Sequence, residues 1–525
     1  MNDREEGKGM RLLRKGKRGL IQALFSRLGL IVLLFLLQLL LLLGLFGVAA
    51  EFLPHFFGGS IVFNAIMTLY LLNSEGDPTA KLTWLVFFSV APVFGALFYL
   101  YTKSDIGHRM LRERTTQLIR EGRSDLRAST SAKQHLENAD PQIAHMASYV
   151  AKSGCYPVWE HTAVTYFPLG EDKFAAMLPA LRAAKHFIFL EYFIVEEGEM
   201  WGQILSILAE KVKAGVEVRV LVDGTCEFTH LTHDYPRRMQ ALGIQCKMFA
   251  PVRPFVSTHY NYRDHRKIAV IDGEVAFTGG VNLADEYINR VVRFGHWKDT
   301  AVMLRGKAAR SFTLMFLNMW AIDEHAMESS RFLAYPTKPV MDAPGFVLPY
   351  SDSPVDGNKV GEQVYIDILS RARRYVHIMT PYLIIDHNME SALQYAAERG
   401  VDVHLILPGI PDKKYAFALA HTHYPALMKA GVKISEYTPG FVHAKVFVAD
   451  DREAVVGTIN LDYRSLYHHF ECAAYMFGVP CIADIESDFQ QTLQQCRRMT
   501  PERLKNDKPS MKVAGVVLKA IAPLM

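Results

Sequence analysis

Two short segments of this 525-residue chain carry the same reactive side chains at the same spacing. The first contains His265 and Lys267, and the second contains His443 and Lys445. In both, an aspartate, a glycine and an asparagine follow the histidine at seven, fourteen and seventeen positions (Asp272, Gly279 and Asn282; Asp450, Gly457 and Asn460). One such tripeptide would mean little in a chain with 20 histidines, but a second complete copy indicates a duplicated functional unit.

Both segments are rich in apolar and β-branched residues and predict strands, on which residues two apart share a face. Each lysine therefore shares a face with its histidine. Asp272 and Asp450 lie at an odd separation and are expected to support the segments rather than to react. Brought together across a pseudo-twofold axis, the two His–Lys pairs would form a cationic pocket suited to a phosphate oxyanion. One imidazole can attack phosphorus while the other protonates the leaving alkoxide and later deprotonates an incoming hydroxyl.

A metal site is the main alternative interpretation of histidine and aspartate at short spacing. A lysine on the same face as each histidine would repel a cation, and no nucleotide-binding loop is visible. We therefore expect neither a metal nor another cofactor. Histidines that merely pack in a core would explain either segment alone, but the repeated register disfavours that explanation for the pair.

The amino-acid composition argues against a nucleic-acid partner and against a zinc site. The formal net charge is only +4, so no strong basic field predicts a nucleic-acid partner. The six cysteines show no C-x-x-C spacing and no histidine at a zinc-like distance, which is typical of reduced structural thiols. Half of the residues are hydrophobic, and the excess lies near the N-terminus.

The N-terminal residues 1–105 are expected to anchor the protein in a membrane through three apolar runs, at 28–50, 52–72 and 82–101. The first run is long enough, at about 1.5 Å per residue, to span a hydrocarbon core as a transmembrane helix. The second is interrupted by proline and glycine, so a re-entrant or interfacial path is an alternative. Basic residues before the first run and at 103–127 favour a cytoplasmic location for both flanks. We expect a multi-pass protein of the cytoplasmic membrane with its catalytic part on the cytoplasmic side; three full spans would instead place that part outside.

From residue 106 the chain alternates strand-like and helix-like patterns, and the second half repeats the order of the first. Such alternation predicts an α/β fold of two pseudo-symmetric α/β/α lobes with mixed, largely parallel sheets. A stretch rich in proline and glycine at 336–357 marks the seam, giving lobes at 106–338 and 339–505. The tail, 506–525, predicts an amphipathic helix that lies on a bilayer or packs on the adjacent domain.

The doubled pattern H-x-K-x4-D-x6-G-[GST]-x-N resembles the signature of the phospholipase D superfamily. The flanking segments 261–273, 431–443 and 457–466, with the apolar N-terminus, are similar to bacterial cardiolipin synthases within it. The resemblance covers nearly the whole chain. It implies that the histidine, lysine and asparagine of both motifs surround a phosphate, that the motif aspartates belong to the site, and that acids downstream orient the imidazoles. The candidate acids are Glu471 and Asp299. Thr458 supplies a hydroxyl for the phosphate where the first copy has Gly280.

The resemblance also implies a reaction, in which two phosphatidylglycerol molecules give cardiolipin and glycerol through a phosphohistidine at the membrane bilayer. By analogy, His265 is expected to be the nucleophile and His443 the general acid and base. The alternatives are a hydrolytic phospholipase D, a phosphatidyltransferase with another alcohol acceptor and, from another class, a catalytically silent membrane scaffold. Six further histidines either line the substrate mouth or are structural (His230, His233, His421, His423, His468 and His469).

Overall fold

The computed structural model describes most of the chain after residue 105 and part of the N-terminal segment. The described residues are 40, 44, 57–74, 78–90, 95, 99–100, 106–122, 125–126, 129–154, 156–251 and 262–524. The chain divides into two compact units, one of residues 1–107 with 251–260 and one of residues 108–250 with 261–525.

The first unit contains two described helices, α1 (Phe57–Asn73) and α2 (Pro78–Val90). They enclose a small apolar cluster that includes Leu71, Trp84 and Phe88. Among the described residues, no helix combines the length and the apolar character that crossing a bilayer requires. The predicted membrane helix at 28–50 lies outside the described residues, apart from positions 40 and 44. The transmembrane part of the predicted fold therefore stays a prediction.

The first half of the second unit forms a seven-stranded sheet. The strands of this half are β1 (Ala163–Phe167), β2 (Phe187–Tyr192), β3 (Glu217–Asp223), β4 (Gln245–Phe249), β5 (Arg263–Asp264), β6 (Lys267–Ile271), β7 (Val275–Gly279), β8 (His296–Lys298) and β9 (Ala301–Arg305). The sheet has the order β1-β9-β7-β6-β2-β3-β4, and β5 and β8 lie outside it. The helices are α3 (Ile106–Gly122), α4 (Thr130–Ala139), α5 (Pro141–Gly154), α6 (Gly170–Ala183), α7 (Glu199–Lys213), α8 (Cys226–Thr229), α9 (Tyr235–Ala241), α10 (Ala309–Trp320) and α11 (Ser329–Leu333).

The second half repeats this arrangement. Its strands are β10 (Phe346–Asp352), β11 (Tyr375–Met379), β12 (Leu383–Ile384), β13 (Asp402–Pro408), β14 (Lys433–Tyr437), β15 (Gly440–Val442), β16 (Val446–Ala449), β17 (Glu453–Gly457), β18 (Leu461–Asp462), β19 (His469–Phe477) and β20 (Cys496–Arg498). The main sheet has the order β10-β19-β17-β16-β11-β13-β14-β20, and β5 of the first half pairs with β19. The helices are α12 (Val360–Arg371), α13 (His387–Glu398), α14 (Lys414–Ala420), α15 (Tyr424–Lys429), α16 (Tyr463–Tyr467), α17 (Cys481–Leu493), α18 (Pro501–Lys505) and α19 (Pro509–Ile521).

Both sheets are mixed, as predicted, but the prediction that they are largely parallel is wrong. Along the two main sheets, β2-β3-β4 and β11-β13-β14 pair in parallel, through the predicted βαβ units. The short pairs β5–β19, β8–β15 and β12–β18 are also parallel. The motif strands instead enter hairpins, β6–β7 and β16–β17, and pair antiparallel. Three residues connect the strands of each hairpin, and the first two of them, Asp272 and Gly273 or Asp450 and Asp451, adopt positive φ.

The two halves share one hydrophobic core. A single buried cluster contains Phe189 and Val270 from the first sheet, Val448 and Met476 from the second, and Phe316 from α10. In addition, α4 and α5 bury apolar residues in the core of the second half. This shared burial holds the two sheets as parts of one compact body and fixes the ends of the motif strands.

Candidate active site

Two short strand pairs join the halves and carry the motif histidines. In the first, β5 runs parallel to β19 with Asp264 opposite Phe470, so the next residues, His265 and Glu471, also face each other. In the second, β15 runs parallel to β8 with Val442 opposite Lys298, which sets His443 against Asp299. Each histidine therefore receives its acid from the other half of the molecule.

The histidine–acid contacts are direct and buried. His265 Nδ1 lies 2.8 and 3.0 Å from the two carboxylate oxygens of Glu471. His443 Nδ1 lies 2.7 Å from Asp299 Oδ2. The histidine residues are only 6% and 7% exposed, and both acids are fully buried. A proton on each Nδ1 satisfies its carboxylate and leaves Nε2 with a free lone pair, the form that a nucleophile or a general base needs.

The two motif lysines lie beside these imidazoles. Lys267 Nζ donates to the carbonyl oxygen of His265, and Lys445 Nζ donates to that of His443. Lys445 Nζ also lies 2.9 Å from His443 Nδ1. Burial lowers the pKa of Lys267 to about 8 and that of Lys445 to about 7, although nearby carboxylates oppose the shift. The site thus concentrates positive charge that an anionic phosphodiester would stabilise.

The electrostatics differ between the two imidazoles. Burial, followed by the charge of Lys267, holds the pKa of His265 well below its ordinary value. Burial and Lys445 lower the pKa of His443 to about 4, while Asp299 acts in the opposite direction through both its charge and its hydrogen bond. Burial raises the pKa of Glu471 well above the ordinary carboxyl value. His265 is therefore set to stay neutral, whereas His443 has a partner that favours its protonated form.

The motif asparagines are anchored and keep hydrogen-bonding capacity. Asn282 accepts a hydrogen bond from the backbone N–H of Ile194 and donates one to the hydroxyl of Tyr287. Asn460 donates to Asp462 at 3.1 Å. Each carboxamide nitrogen carries a second N–H, which matches the predicted role of donating to a phosphate oxygen.

The hydroxyl at position 458 contacts an acid of the site. Thr458 Oγ1 donates to the Glu471 carboxylate and accepts from the backbone N–H of Cys472. Its predicted contact with a phosphate stays a prediction. The first copy has no room for such a side chain. A Cβ atom at Gly280 would lie 2.0 Å from Asp299 Oδ1, so glycine there admits the acid that His443 requires.

The motif aspartates lie just beyond the far ends of their strands, in the hairpin turns at a φ of 54°, so their position does not follow from the alternation of strand faces. Asp272 accepts hydrogen bonds of 2.7 to 2.8 Å from three backbone N–H groups at the start of β2, those of residues 185–187. Asp450 does the same at 2.7 to 2.9 Å for residues 373–375 before β11. Both carboxylates thus fix the hairpin turn to the neighbouring strand.

Comparison with known proteins now identifies the family. A family model described as "Cardiolipin synthase, PLD-like domain" matches residues 177–320 and 365–493, which include both motifs and both acids. The chain belongs to this family. The cardiolipin synthase of Halalkalibacterium halodurans is 32% identical over 474 residues, 89% of this chain and 92% of that protein. An uncharacterized protein of Streptococcus mutans is 55% identical over 460 residues, 87% of this chain and 99% of that protein.

The fold has a counterpart among solved structures. The phosphatidylserine synthase of Haemophilus influenzae matches with a TM-score of 0.54 and 14% identity, over 73% of this chain and 98% of that chain. This likeness concerns the fold alone. Together with the family match, it confirms the phospholipase D-like α/β architecture predicted from the doubled motif.

Three aromatic rings surround the motif histidines of this cardiolipin synthase-type site. The motif spacing does not predict them. The ring of Phe193 meets His265 edge-on at 5.0 Å, and that of Tyr287 meets His443 at 5.4 Å. Trp297 lies 5.5 Å from His443 on another side. The sequence carried no signal for these rings because each lies outside the motifs, Trp297 on β8 and Tyr287 in a short 3-10 helix, Asp285–Ile288.

One of the six further histidines reaches the site. The His469 ring lies 5.2 Å from that of His265, and ligand atoms of His265, His469 and Glu471 lie within 4.8 Å of one another, as in a metal site. The positive charge of Lys267 acts on all three groups, however: after burial it contributes to the low pKa of both histidines and opposes the rise in the pKa of Glu471. A cation next to that ammonium would be repelled, so the chemistry of the donor set does not fit a metal. The absence of a metal stays a prediction.

Proposed function

We propose that this protein transfers a phosphatidyl group from one phosphatidylglycerol to a second, giving cardiolipin and glycerol. The observation that carries the proposal is the pair of buried imidazoles, each held by an acid from the opposite half and each beside a lysine. Family membership supports a phospholipid substrate, and relatives over most of the chain are named cardiolipin synthases.

The first half of the reaction forms a covalent intermediate. Nε2 of neutral His265 attacks phosphorus, and the bond from phosphorus to the glycerol headgroup oxygen breaks. Protonated His443 gives its proton to the departing alkoxide, so glycerol leaves as a neutral alcohol. Because His443 is neutral in the free site, its proton is taken up as the anionic substrate binds and raises its pKa. Lys267 and Lys445 stabilise the charge on the phosphoryl oxygens.

The second half regenerates the enzyme. Neutral His443 removes the proton from a hydroxyl of the incoming phosphatidylglycerol. That oxygen attacks phosphorus, and the bond from phosphorus to His265 breaks. Burial of the site favours an alcohol of a lipid over water at this step, because water is depleted around imidazoles that are less than one-tenth exposed.

The assignment of the two histidines rests on their unequal partners. Asp299 favours protonation of His443, which suits the residue that carries the proton. Glu471, whose pKa burial raises, leaves His265 neutral, which suits the nucleophile.

The reaction is tested with purified full-length protein, phosphatidylglycerol as the sole lipid and a chelator, followed by mass spectrometry of the lipids and of released glycerol. Cardiolipin with an equal amount of glycerol supports the proposal. Phosphatidic acid without cardiolipin would make the protein a hydrolase. A matched reaction with added serine tests the alternative acceptor, since phosphatidylserine would then appear in place of cardiolipin.

We also propose that residues 1–105 anchor the protein in the cytoplasmic membrane with the catalytic unit in the cytoplasm. The basic flanks at the N-terminus and at 103–127 support this orientation. Accessibility of a cysteine introduced at exposed Met341 to an impermeant thiol reagent tests it, with labelling expected only after the cells are opened. Labelling of intact cells would place the catalytic unit outside.

A further inference from the structure

The last helix, α19, keeps an apolar face that the other described residues leave uncovered. Val513, Val516 and Val517 are 64%, 68% and 60% exposed, and they fall within little more than one helical turn. Tyr415 of the neighbouring helix α14 is 47% exposed. Single exposed apolar side chains are ordinary, but a contiguous group on one helix marks an interaction surface.

The opposite face of α19 is already committed to the protein. Gly515 lies so close to α14 that a Cβ atom there would come 2.5 Å from the carbonyl oxygen of Ala418. Leu518 packs against a small cluster that contains Leu419 and Tyr463. The helix is thus fixed on the catalytic unit, and its outward valines are held toward the surroundings.

The charges on α19 itself have one sign, although Glu390 acts on Lys519 and Asp412 lies 3.9 Å from Lys413. Between Lys508 and the C-terminus the chain has three lysines and no acidic residue. Lys512 and Lys519 are exposed and lie on the same side of the helix, seven residues apart. On α14, Lys413 and Lys414 directly precede the exposed Tyr415. A helix with an apolar face and flanking lysines matches the interface of a bilayer that carries anionic lipids.

The end of α19 lies close to the catalytic site. A cavity of about 260 Å³ lies beside the end of the helix and is lined by Ala522, Tyr463, Tyr382 and Asp462. Asp462 accepts the hydrogen bond from the motif residue Asn460. The wall of the catalytic site and the end of α19 thus border the same space.

We propose that α19 is an interfacial helix that docks the catalytic unit on the surface of an anionic bilayer. Val513, Val516 and Val517 enter the boundary between headgroups and acyl chains, while Lys512 and Lys519 contact lipid phosphates. The docking follows from this surface alone. We infer in addition that docking delivers an anionic phospholipid to the adjacent site, and this second inference rests on the proposed function.

The test uses the full-length chain with Val517→Cys, reconstituted in vesicles of phosphatidylcholine alone or of phosphatidylcholine with phosphatidylglycerol. The residues before 106 are embedded equally in both, so only the anionic lipid differs. The rate of modification by a membrane-impermeant maleimide is read at position 517 by peptide mass spectrometry, which separates it from the native cysteines. We expect roughly tenfold slower modification in the anionic vesicles. Met341→Cys, on an exposed loop, is the matched control and should react at equal rates.

A lysine variant and a series of protein densities distinguish the possible causes of protection. In the Val517→Cys background, Lys512→Gln with Lys519→Gln should restore rapid modification in anionic vesicles; continued protection would overturn the charge argument. Equal modification of Val517→Cys in both lipids would overturn the docking itself. Protection that depends on protein density and not on lipid charge would mean that a second copy covers the helix, which also overturns the proposal.

Cardiolipin formation by the same preparations separates the two proposals. Synthesis without protection of position 517 leaves the proposed function intact and removes the docking helix. Protection without synthesis does the reverse.

Discussion

At the scale of single residues, the site depends on which carboxylate serves which imidazole. His265 binds Glu471 and His443 binds Asp299, so the acid that follows each motif serves the histidine of the other motif. The sequence identified both acids, and it offered no means of deciding this exchange. The decisive information is the register of β5 on β19 and of β15 on β8, which brings together residues 206 and 144 positions apart.

Removal of either acid should lower turnover without unfolding the protein. Glu471→Gln and Asp299→Asn preserve the size of the side chain, but the amide can turn an N–H group toward Nδ1 and no longer fixes the orientation and tautomer of the imidazole. We therefore expect kcat to fall by roughly 10²- to 10⁴-fold. The measurement is cardiolipin formation at saturating substrate, with circular dichroism as the check on folding. Near wild-type turnover in both variants would show that the cross-half contacts do not serve the chemistry.

Gly280, which follows the motif glycine Gly279, should tolerate no side chain. In Gly280→Ser the new Cβ meets the Asp299 carboxylate at 2.0 Å, and the acid must move away from His443. We expect roughly a 10²-fold loss of kcat, comparable to loss of a catalytic proton transfer. Thr458→Ser is the matched control, because it retains the hydroxyl on Glu471 and should retain most activity. Full activity of Gly280→Ser would refute the need for close approach.

The pH dependence of kcat/KM should reveal the titration of the buried lysines. Because neutral His443 must take up a proton as substrate binds, kcat/KM already falls gradually as the pH rises. This fall should become steeper between about pH 7 and 8, where Lys445 and Lys267 lose their charge in the free enzyme. No decline is expected near pH 6.5 on the acid side, because both imidazoles stay neutral well below that pH. Lys445→Gln should lower kcat/KM at neutral pH and flatten the alkaline limb. If the alkaline decline of kcat/KM were unchanged in Lys445→Gln, a group other than Lys445 would cause it.

At the scale of elements, the positions of the strands and helices were predictable from the sequence, and the direction of the motif strands was not. Alternating strand and helix patterns located β2, α7, β3 and their counterparts within a few residues, because continuous apolar runs and amphipathic periodicity are local signals. Strand direction is not local. The motif strands turn back at Asp272 and Asp450 through positive-φ hairpins, and four of the six pairings in the first sheet are antiparallel.

Loss of a motif aspartate should therefore affect stability more than chemistry. Asp272→Ala removes three hydrogen bonds to backbone N–H groups and places alanine at a φ of 54°, so we expect a loss of about 3 kcal/mol in unfolding free energy. Asp272→Asn keeps acceptor capacity and tolerates that φ, and should lose less. The measurement is thermal unfolding in detergent together with activity at low temperature. A stable Asp272→Ala protein without activity would instead place the carboxylate in the chemistry.

At the scale of the whole molecule, neither half contains a complete catalytic unit. Each histidine needs an acid from the other half, and α4 and α5, which precede the first sheet, complete the core of the second. The duplication visible in the sequence predicted two lobes and one shared pocket. It could not predict this exchange of helices and acids, because contacts between repeats leave no periodic pattern in either repeat.

Separate halves should therefore regain activity only when combined. Chains covering 1–342 and 343–525, divided in the exposed segment between α11 and β10, should each be inactive when expressed alone. Co-expression should restore a measurable fraction of cardiolipin formation, since the shared core and the β5–β19 and β8–β15 pairs hold the halves without a covalent link. Activity of the 343–525 chain alone would contradict a site built from both halves.

In the proposed mechanism, His265 becomes covalently attached to a phosphatidyl group while His443 moves the proton. The most direct measurement is rapid mixing of the full-length protein with phosphatidylglycerol, quenching in base, which preserves phosphohistidine, and localisation of the adduct by peptide mass spectrometry. We predict a phosphatidyl adduct on His265, absent in His265→Ala, and no cardiolipin from either His265→Ala or His443→Ala. An adduct on His443, or continued cardiolipin synthesis by His265→Ala, would show that His265 is not the nucleophile.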